Sequence, residues 1–316
     1  MTDTAVAYHE PVLLCETIAA LAVRPHGAYV DGTLGGGGHF RAIIEKLDAQ
    51  GTAIGLDRDP EAVAWNAGRI PSTPARVIIE QQEFSRFDAA LSRHGIGAID
   101  GMLLDLGISS HQIDAAARGF SYLRECDLDM RMNPAGEITA ADLLNNATGE
   151  QLAEILGTFG EIMNPRRMAS ALVRFRAGKR FVTSGDLREC LSGEYGPNVK
   201  FKVLSKVFQA LRIAVNNELD ELTTCLEKTA GCLREKGRLA VIAYHSLEDR
   251  IVKNFMREKE RQCACPPQQP ICTCDRRPIF KRINNKAIKA GDSEIARNPR
   301  ARSARLRVAE RTGYSA

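Results

Sequence analysis

Residues 29–40 read Y-V-D-G-T-L-G-G-G-G-H-F: a short apolar strand closing on an acid, four glycines, and the start of a helix. Glycines in that place let the backbone pass through φ > 0 and approach a ligand with no Cβ in the way. The helix N-terminus beyond them offers unpaired N–H groups. Such a turn is the ligand end of an α/β sheet. The dinucleotide fingerprint G-x-G-x-x-G fails here in every register. Gly35 and Gly37 would need a third glycine where Phe40 stands, and Gly36 and Gly38 one where Arg41 stands. On its own a glycine-rich loop names no ligand.

Outward from the loop, β-like and helical runs alternate. Apolar periodicity predicts a helix over 12–23, strands at 28–33, 52–57, 76–79 and 99–106, and helices at 39–48, from Pro60, and at 85–94. That rhythm predicts a parallel sheet with crossover helices. It breaks from about Arg118 to Leu211, where capping-box patterns open helices at Thr139/Asp142, Thr148/Gln151 and Thr183/Asp186, with another helix from Pro165 through Phe175. The α/β rhythm resumes with a helix over 217–236, a strand over 237–245, a helix over 246–260 and a strand over 303–310. The expected domains are 1–117, a helical insertion at 118–212, and 213–316.

The 316 residues suffice for about two domains. No apolar run approaches a membrane span, and the acids Asp3 and Glu10 argue against a signal peptide, so a cytoplasmic setting is expected. The net charge of +4 conceals its distribution. Residues 1–164 carry −12, residues 165–212 carry +8, residues 213–249 carry −3, and residues 250–316 carry +11. Two basic regions on an otherwise acidic chain point to a polyanionic partner.

Asp57 ends the second strand 20 residues past Gly37, where a carboxylate can accept hydrogen bonds from both ribose hydroxyls of a nucleoside. The alternative for Asp57 is to cap the helix at Pro60, work that Asp59 can do instead. Phe84, just past the third strand, is placed to stack beside a base or to fill core. Asp105 closes the fourth strand in L-L-D-L-G-I-S-S-H-Q, at the expected switch point, and is the candidate catalytic residue. A carboxylate accepting the N–H of an exocyclic amine would localise its lone pair for attack on a methyl group. His245, ending the fifth strand, points by position to the same sheet edge, although a lone histidine is more often structural. Cys263, Cys265, Cys272 and Cys274 form C-x-C-x6-C-x-C. Four clustered thiols can bind zinc, but the spacing is not the usual C-x2-C, and no metal is assigned. No cysteine follows a proline near Asp105, which disfavours covalent carbon methylation.

Two levels of resemblance follow. The loop Asp31–His39 resembles the D-x-G-x-G-x-G of S-adenosylmethionine-dependent methyltransferases, with Thr33 where the first glycine usually stands. More specifically, Y-H-E-P-V-L-L-C-E, V-D-G-T-L-G-G-G-G-H, D-G-M-L-L-D-L-G-I-S-S-H-Q-I-D, R-G-F-S-Y, F-Q-A-L-R-I-A-V-N-N-E-L, Y-H-S-L-E-D-R-I-V-K and N-P-R-A-R-S-A-R-L-R-V-A-E-R resemble the bacterial 16S ribosomal RNA (cytosine-N4)-methyltransferases, RsmH or MraW. The resemblance runs from about His9 to Arg311. It implies an α/β fold, a Rossmann-like class I methyltransferase sheet with an inserted all-helical domain for RNA recognition. It implies S-adenosylmethionine as cofactor, and methylation of the exocyclic N4 of a cytidine at the decoding centre. The implied partner is 16S rRNA within the small ribosomal subunit, with no membrane and a homodimer left open. Carried over, the cofactor contacts fall on Gly36, Gly37, Gly38, His39, Asp57, Phe84, Asp105 and Gln112. Other amino-group methyltransferases follow the strand-four acid with P-P-Y/F. Here L-G-I stands there, and Phe120 and Tyr122 are the candidates for holding the base. The cysteine loop has no role in that family pattern.

Overall fold

The strands at 28–31, 52–57 and 99–105 are buried along nearly their whole length, which only a sheet covered on both faces permits. The computed structural model describes residues 11–122, 124–196, 201–263, 265, 271 and 274–314. Its seven strands are β1 (Ala28–Asp31), β2 (Thr52–Asp57), β3 (Arg76–Gln81), β4 (Ile99–Asp105), β5 (Leu233–Ala243), β6 (Phe280–Arg282) and β7 (Arg305–Arg311). They form one sheet in the order β3-β2-β1-β4-β5-β7-β6. The first five in that order run parallel, and β7 is antiparallel to both of its neighbours. The order reverses between β1 and β4, so the C-terminal ends of those strands flank the switch point where open sheets bind ligands.

Helix α1 (Leu14–Leu21) precedes β1, and α2 (Gly38–Ile44), α3 (Pro60–Ala67) and α4 (Phe87–Arg93) follow β1, β2 and β3. After them come α5 (Ser110–Asp114), α6 (Ala140–Asn146), α7 (Gly149–Thr158), α8 (Pro165–Gly178), α9 (Ser184–Tyr195) and α10 (Phe201–Asn216). The chain returns to the sheet through α11 (Glu218–Cys232), α12 (Ser246–Lys259) and α13 (Asp292–Arg297). The chain divides into two compact units, one of residues 1–107 and 219–316, the other of Ile108–Glu218. The sheet unit has one apolar cluster on each face. Ile54, Leu104, Val241 and Phe255 belong to one, and Tyr29, Phe40, Leu103 and Ile242 to the other.

The helical unit has its own core, including Leu144, Leu152, Leu172, Leu191 and Leu211. All three capping boxes expected from sequence are present, at Thr139, Thr148 and Thr183. Phe120 lies in this core and Tyr122 packs its ring edge-on against Phe208 at 5.6 Å. Both rings are thus packed within this unit. Much of this unit's positive charge is spent internally: Arg176 donates to the Leu144 and Ala147 carbonyls, and Arg212 pairs with Glu218.

Two elements depart from the sequence reading. The helix expected over 217–236 ends at Cys232, and β5 already begins at Leu233. Leu233 pairs with Ile99 and Arg238 with Gly101, so the intervening residues bulge, with Lys236 at φ 63°. Arg234 is drawn to the buried Asp100 of β4 at 2.6 Å, and this pairing across the sheet overrides local helical preference. The short edge strand β6, overlooked in the sequence, pairs only three residues with β7.

Candidate active site

The glycine loop is tied down at each step. Gly32 N donates to Leu103 O (2.9 Å) and Leu34 N to Leu56 O (2.9 Å), which joins the ends of β1, β4 and β2. Thr33, the departure from the usual loop pattern, has its own work. Its Oγ1 accepts from Asp105 N at 2.6 Å and lies 3.4 Å from Asp31 Oδ1. Asn66 of α3, fully buried, donates to Gly35 O and Ala62 O, both at 2.8 Å. Arg41 donates to Gly36 O at 2.8 Å and to Asn66 Oδ1 at 3.2 Å. Gly37 adopts φ 75°, and a Cβ there would come within 1.9 Å of Asn66 Oδ1. A Cβ on Gly38 would strike the Pro11 ring at 2.7 Å. At these two positions glycine is demanded by the protein's own close packing, not by a ligand's approach alone.

Three acids stand at neighbouring strand ends: Asp31 on β1, Asp57 on β2 and Asp105 on β4. Burial pushes the Asp31 carboxyl up to about 6, against the pull of His39 and the Thr33 amide. Burial likewise raises Asp57 to about 6, although it accepts from Gly35 N at 2.8 Å and Asp59 N at 2.9 Å. The N-cap of α3 is Asp59, which accepts from Glu61 N at 3.0 Å. Asp57 is thus not needed as the helix cap, and each oxygen keeps a lone pair beyond its amide contact.

Asp105 is held through its Oδ1. Tyr244, just past β5, donates its hydroxyl to Oδ1 at 2.8 Å. His39 Nδ1 lies 3.6 Å from Oδ2. The other ring nitrogen, Nε2, sits 3.0 Å from Val12 O and must carry the proton to bond a carbonyl, so in the neutral ring Nδ1 presents a lone pair. Desolvation lowers the His39 pKa, and that neutral form prevails near pH 7. Burial, with Asp105 beside it, raises Tyr244 far above its ordinary value and keeps it a donor. The contrast along β4 is instructive: Asp100, at the other end, is neutralised by Arg24 at 2.5 Å and Arg234 at 2.6 Å. Paired with arginines it is structural, whereas acids gathered at a strand's carboxyl end with raised pKa values mark a site.

The remaining expected residues divide. Phe84 opens a short 3₁₀ turn after β3, and a Cβ on Gly32 would lie 3.0 Å from its own Cβ, so it covers the loop while packing on the core. Gln112 belongs to the helical unit, where it closes a capping box with Ser109. His245 is the N-cap of α12: its Nδ1 faces Glu248 N at 3.4 Å, and Glu248 accepts from Tyr244 N at 2.8 Å. Sequence reasoning missed Tyr244 and Asn66, and took Asp31 only as the acid that closes β1. The one available signal for Tyr244 was its place beside His245 at the end of an apolar strand.

Beside Tyr244 opens a polar cleft of about 190 Å³, lined by His245, Ser246, Lys289, Arg302, Ser303 and Arg305 among others. Arg305 is held by Asp249 at 3.0 Å, which also binds Arg307 at 2.6 Å. Among the described residues no carboxylate lines the cleft, and its exposed cations Lys289 and Arg302, beside the Asp249-bound Arg305, give it a positive field.

A glycine loop after β1, an acid after β2, an acid closing β4, and β7 inserted antiparallel between β5 and β6 define a class I methyltransferase. S-adenosylmethionine, the methyl donor of that class, fits these residues. Asp57 retains acceptor capacity for ribose hydroxyls, and a set of carboxylates suits a cationic sulfonium. The chain belongs to the MraW methylase family, whose model matches residues 6–312. It is similar to the ribosomal RNA small subunit methyltransferase H of Heliobacterium modesticaldum, 44% identical over 310 residues that cover 97% of this chain and 99% of that protein. The proteins of the same name from Heliobacterium mobile and Geobacter sulfurreducens are each 43% identical, covering 96% of this chain and 99% and 98% of their own.

Proposed function

We propose that this protein transfers a methyl group from S-adenosylmethionine to the exocyclic N4 of a cytidine in 16S rRNA, at the decoding centre of the small ribosomal subunit, in the cytoplasm. The observation that carries the reading is the carboxylate of Asp105, held at the switch point by Tyr244 and flanked by a neutral His39. The relatives' names supply the small-subunit RNA; the chemistry of the edge supplies the amine.

When bound, the cofactor supplies an electrophilic methyl on a sulfonium. Asp57 accepts from its ribose, and the loop at Gly36, Gly37 and Gly38 holds the nucleoside end. The N4 lone pair of cytosine is delocalised into the ring and attacks poorly. Asp105, accepting a hydrogen bond from one N4–H, would localise that pair on nitrogen as it attacks the methyl carbon in line; the methyl–sulfur bond breaks to leave a neutral thioether, that proton passes to the Asp105 carboxylate, and the other N–H stays on the methylated amine. The hydroxyl of Tyr244 fixes the carboxylate's orientation, a preorganisation that costs nothing at the moment of reaction. No P-P-Y/F clamp follows Asp105, so base capture falls to other residues. The target must be unstacked to reach the edge. The cleft of Lys289, Arg302 and Arg305 is suited to phosphates flanking it.

The test is methyl transfer from labelled cofactor to small subunits from cells lacking the protein, with mass mapping of the modified cytidine. Transfer to N4 of one cytidine, lost in Asp105→Asn with cofactor binding retained, supports the reading. Label on ring carbon, on DNA, or unchanged transfer by Asp105→Asn would overturn it.

A further inference from the structure

The loop between α12 and β6 has no part in the chemistry above, yet it gathers thiols on the surface. The chain is clamped at the loop's base. Ile279 N donates to Lys259 O at 2.8 Å, Arg276 reaches the carbonyl and carboxylate of Glu258 at 2.7 and 2.8 Å, and Arg282 bonds Glu260. Above that clamp the sulfurs of Cys263, Cys265 and Cys274 lie within 4.8 Å of one another. Cys272, the other thiol of the motif, lies outside the described residues.

The distances discriminate between explanations. Cys263 Sγ and Cys274 Sγ are 3.7 Å apart, far beyond a disulfide bond of about 2.05 Å. Four thiolates about 2.3 Å from a tetrahedral zinc stand about 3.8 Å from each other along the tetrahedron's edges. Cys265 N also points at Cys263 Sγ at 3.3 Å, the backbone N–H to sulfur contact that stabilises a metal-bound thiolate. Burial does not explain the cluster, because Cys263 is exposed and Cys265 and Cys274 are only half-buried, whereas unligated cysteines are usually among the most buried residues.

We propose that Cys263, Cys265 and Cys274 bind one zinc ion as thiolates, a structural site that staples the loop between α12 and β6. A fourth donor from outside these three residues, such as a water, completes the tetrahedron. The site lies apart from the methyl-transfer edge and does not depend on the reading of that edge.

The full-length protein, purified with reductant and without chelator from zinc-supplemented cells, should carry about one zinc per chain by elemental analysis. Exchange with cobalt should give the thiolate-to-metal charge-transfer and red d–d bands of a tetrahedral sulfur site. The Cys263→Ser/Cys274→Ser variant should lose both signals while retaining cofactor binding, which shows that its fold survives. Background zinc in the parent protein, equal zinc in the variant, octahedral cobalt spectra, or a Cys263–Cys274 disulfide after anaerobic purification would each overturn the proposal.

Discussion

Tyr244 and Asp31 act on the site through single atoms, and each can be isolated by removing one group. A hydrogen bond to a charged acceptor is worth about 1.5–3 kcal/mol. Tyr244→Phe should therefore slow methyl transfer by roughly 10- to 100-fold. Its cofactor affinity should stay within about twofold, because the hydroxyl meets Asp105 and not the loop. A loss of affinity as large as the loss of rate would make Tyr244 a wall of the pocket. Asp31 carries a pH signature. Its carboxyl is raised to about 6 by burial, so the folded state favours the protonated form. The associated stability is complete below the ordinary carboxylate range and is lost as pH rises through about 6, by roughly 2–3 kcal/mol. Asp31→Asn keeps an acceptor for Thr33 N without the charge. The variant should melt above the parent at pH 8, and the gap should close toward pH 4. Melts at both values decide it, and a gap independent of pH would refute the argument.

At the scale of elements, the loop and α3 are one mechanical piece, because Asn66 fills the space a Cβ on Gly37 would take. Gly37→Ala should destabilise the protein by about 2–4 kcal/mol, combining strain at φ 75° with the collision. Adding Asn66→Ala relieves the collision and leaves the strain, so denaturant titrations of the double variant should show a cost smaller than the two single costs combined. Additive costs would mean the two residues do not share that space. The same elements show what sequence can reveal. The sheet's strands were legible because full burial gives unbroken apolar runs, and the insertion's helices because capping boxes are local. Asp57 and Asp105 were legible because a strand's end can be read from its pattern. Tyr244, Asn66 and the bulge in β5 were not, since each is defined by a partner more than thirty residues away. His245 was half-legible: its position reads as functional, and only the contact to Glu248 gives it the helix cap.

For the whole molecule, charge separates two tasks. In the proposed function, the acids at the strand ends face a small cation, while Lys289, Arg302 and Arg305 face a polyanion. Lys289→Glu with Arg302→Glu should weaken binding to small-subunit RNA at least tenfold and flatten its dependence on salt, with cofactor affinity unchanged. Asp57→Ala should do the reverse, and calorimetry with each ligand would expose any overlap. The sheet unit itself is discontinuous in sequence, its halves separated by the helical unit. During synthesis β4 is complete long before its neighbour β5 leaves the ribosome, an interval of roughly 10–30 s at ordinary elongation rates. Throughout that interval β4, apolar on both faces, is a bare edge open to adventitious pairing. The strand that carries the reactive acid is thus also the nascent chain's point of greatest exposure. Stalled chains ending before Leu233 should be captured by chaperones or aggregate, while chains extended through β7 should be released soluble, a difference that ribosome-release assays can measure.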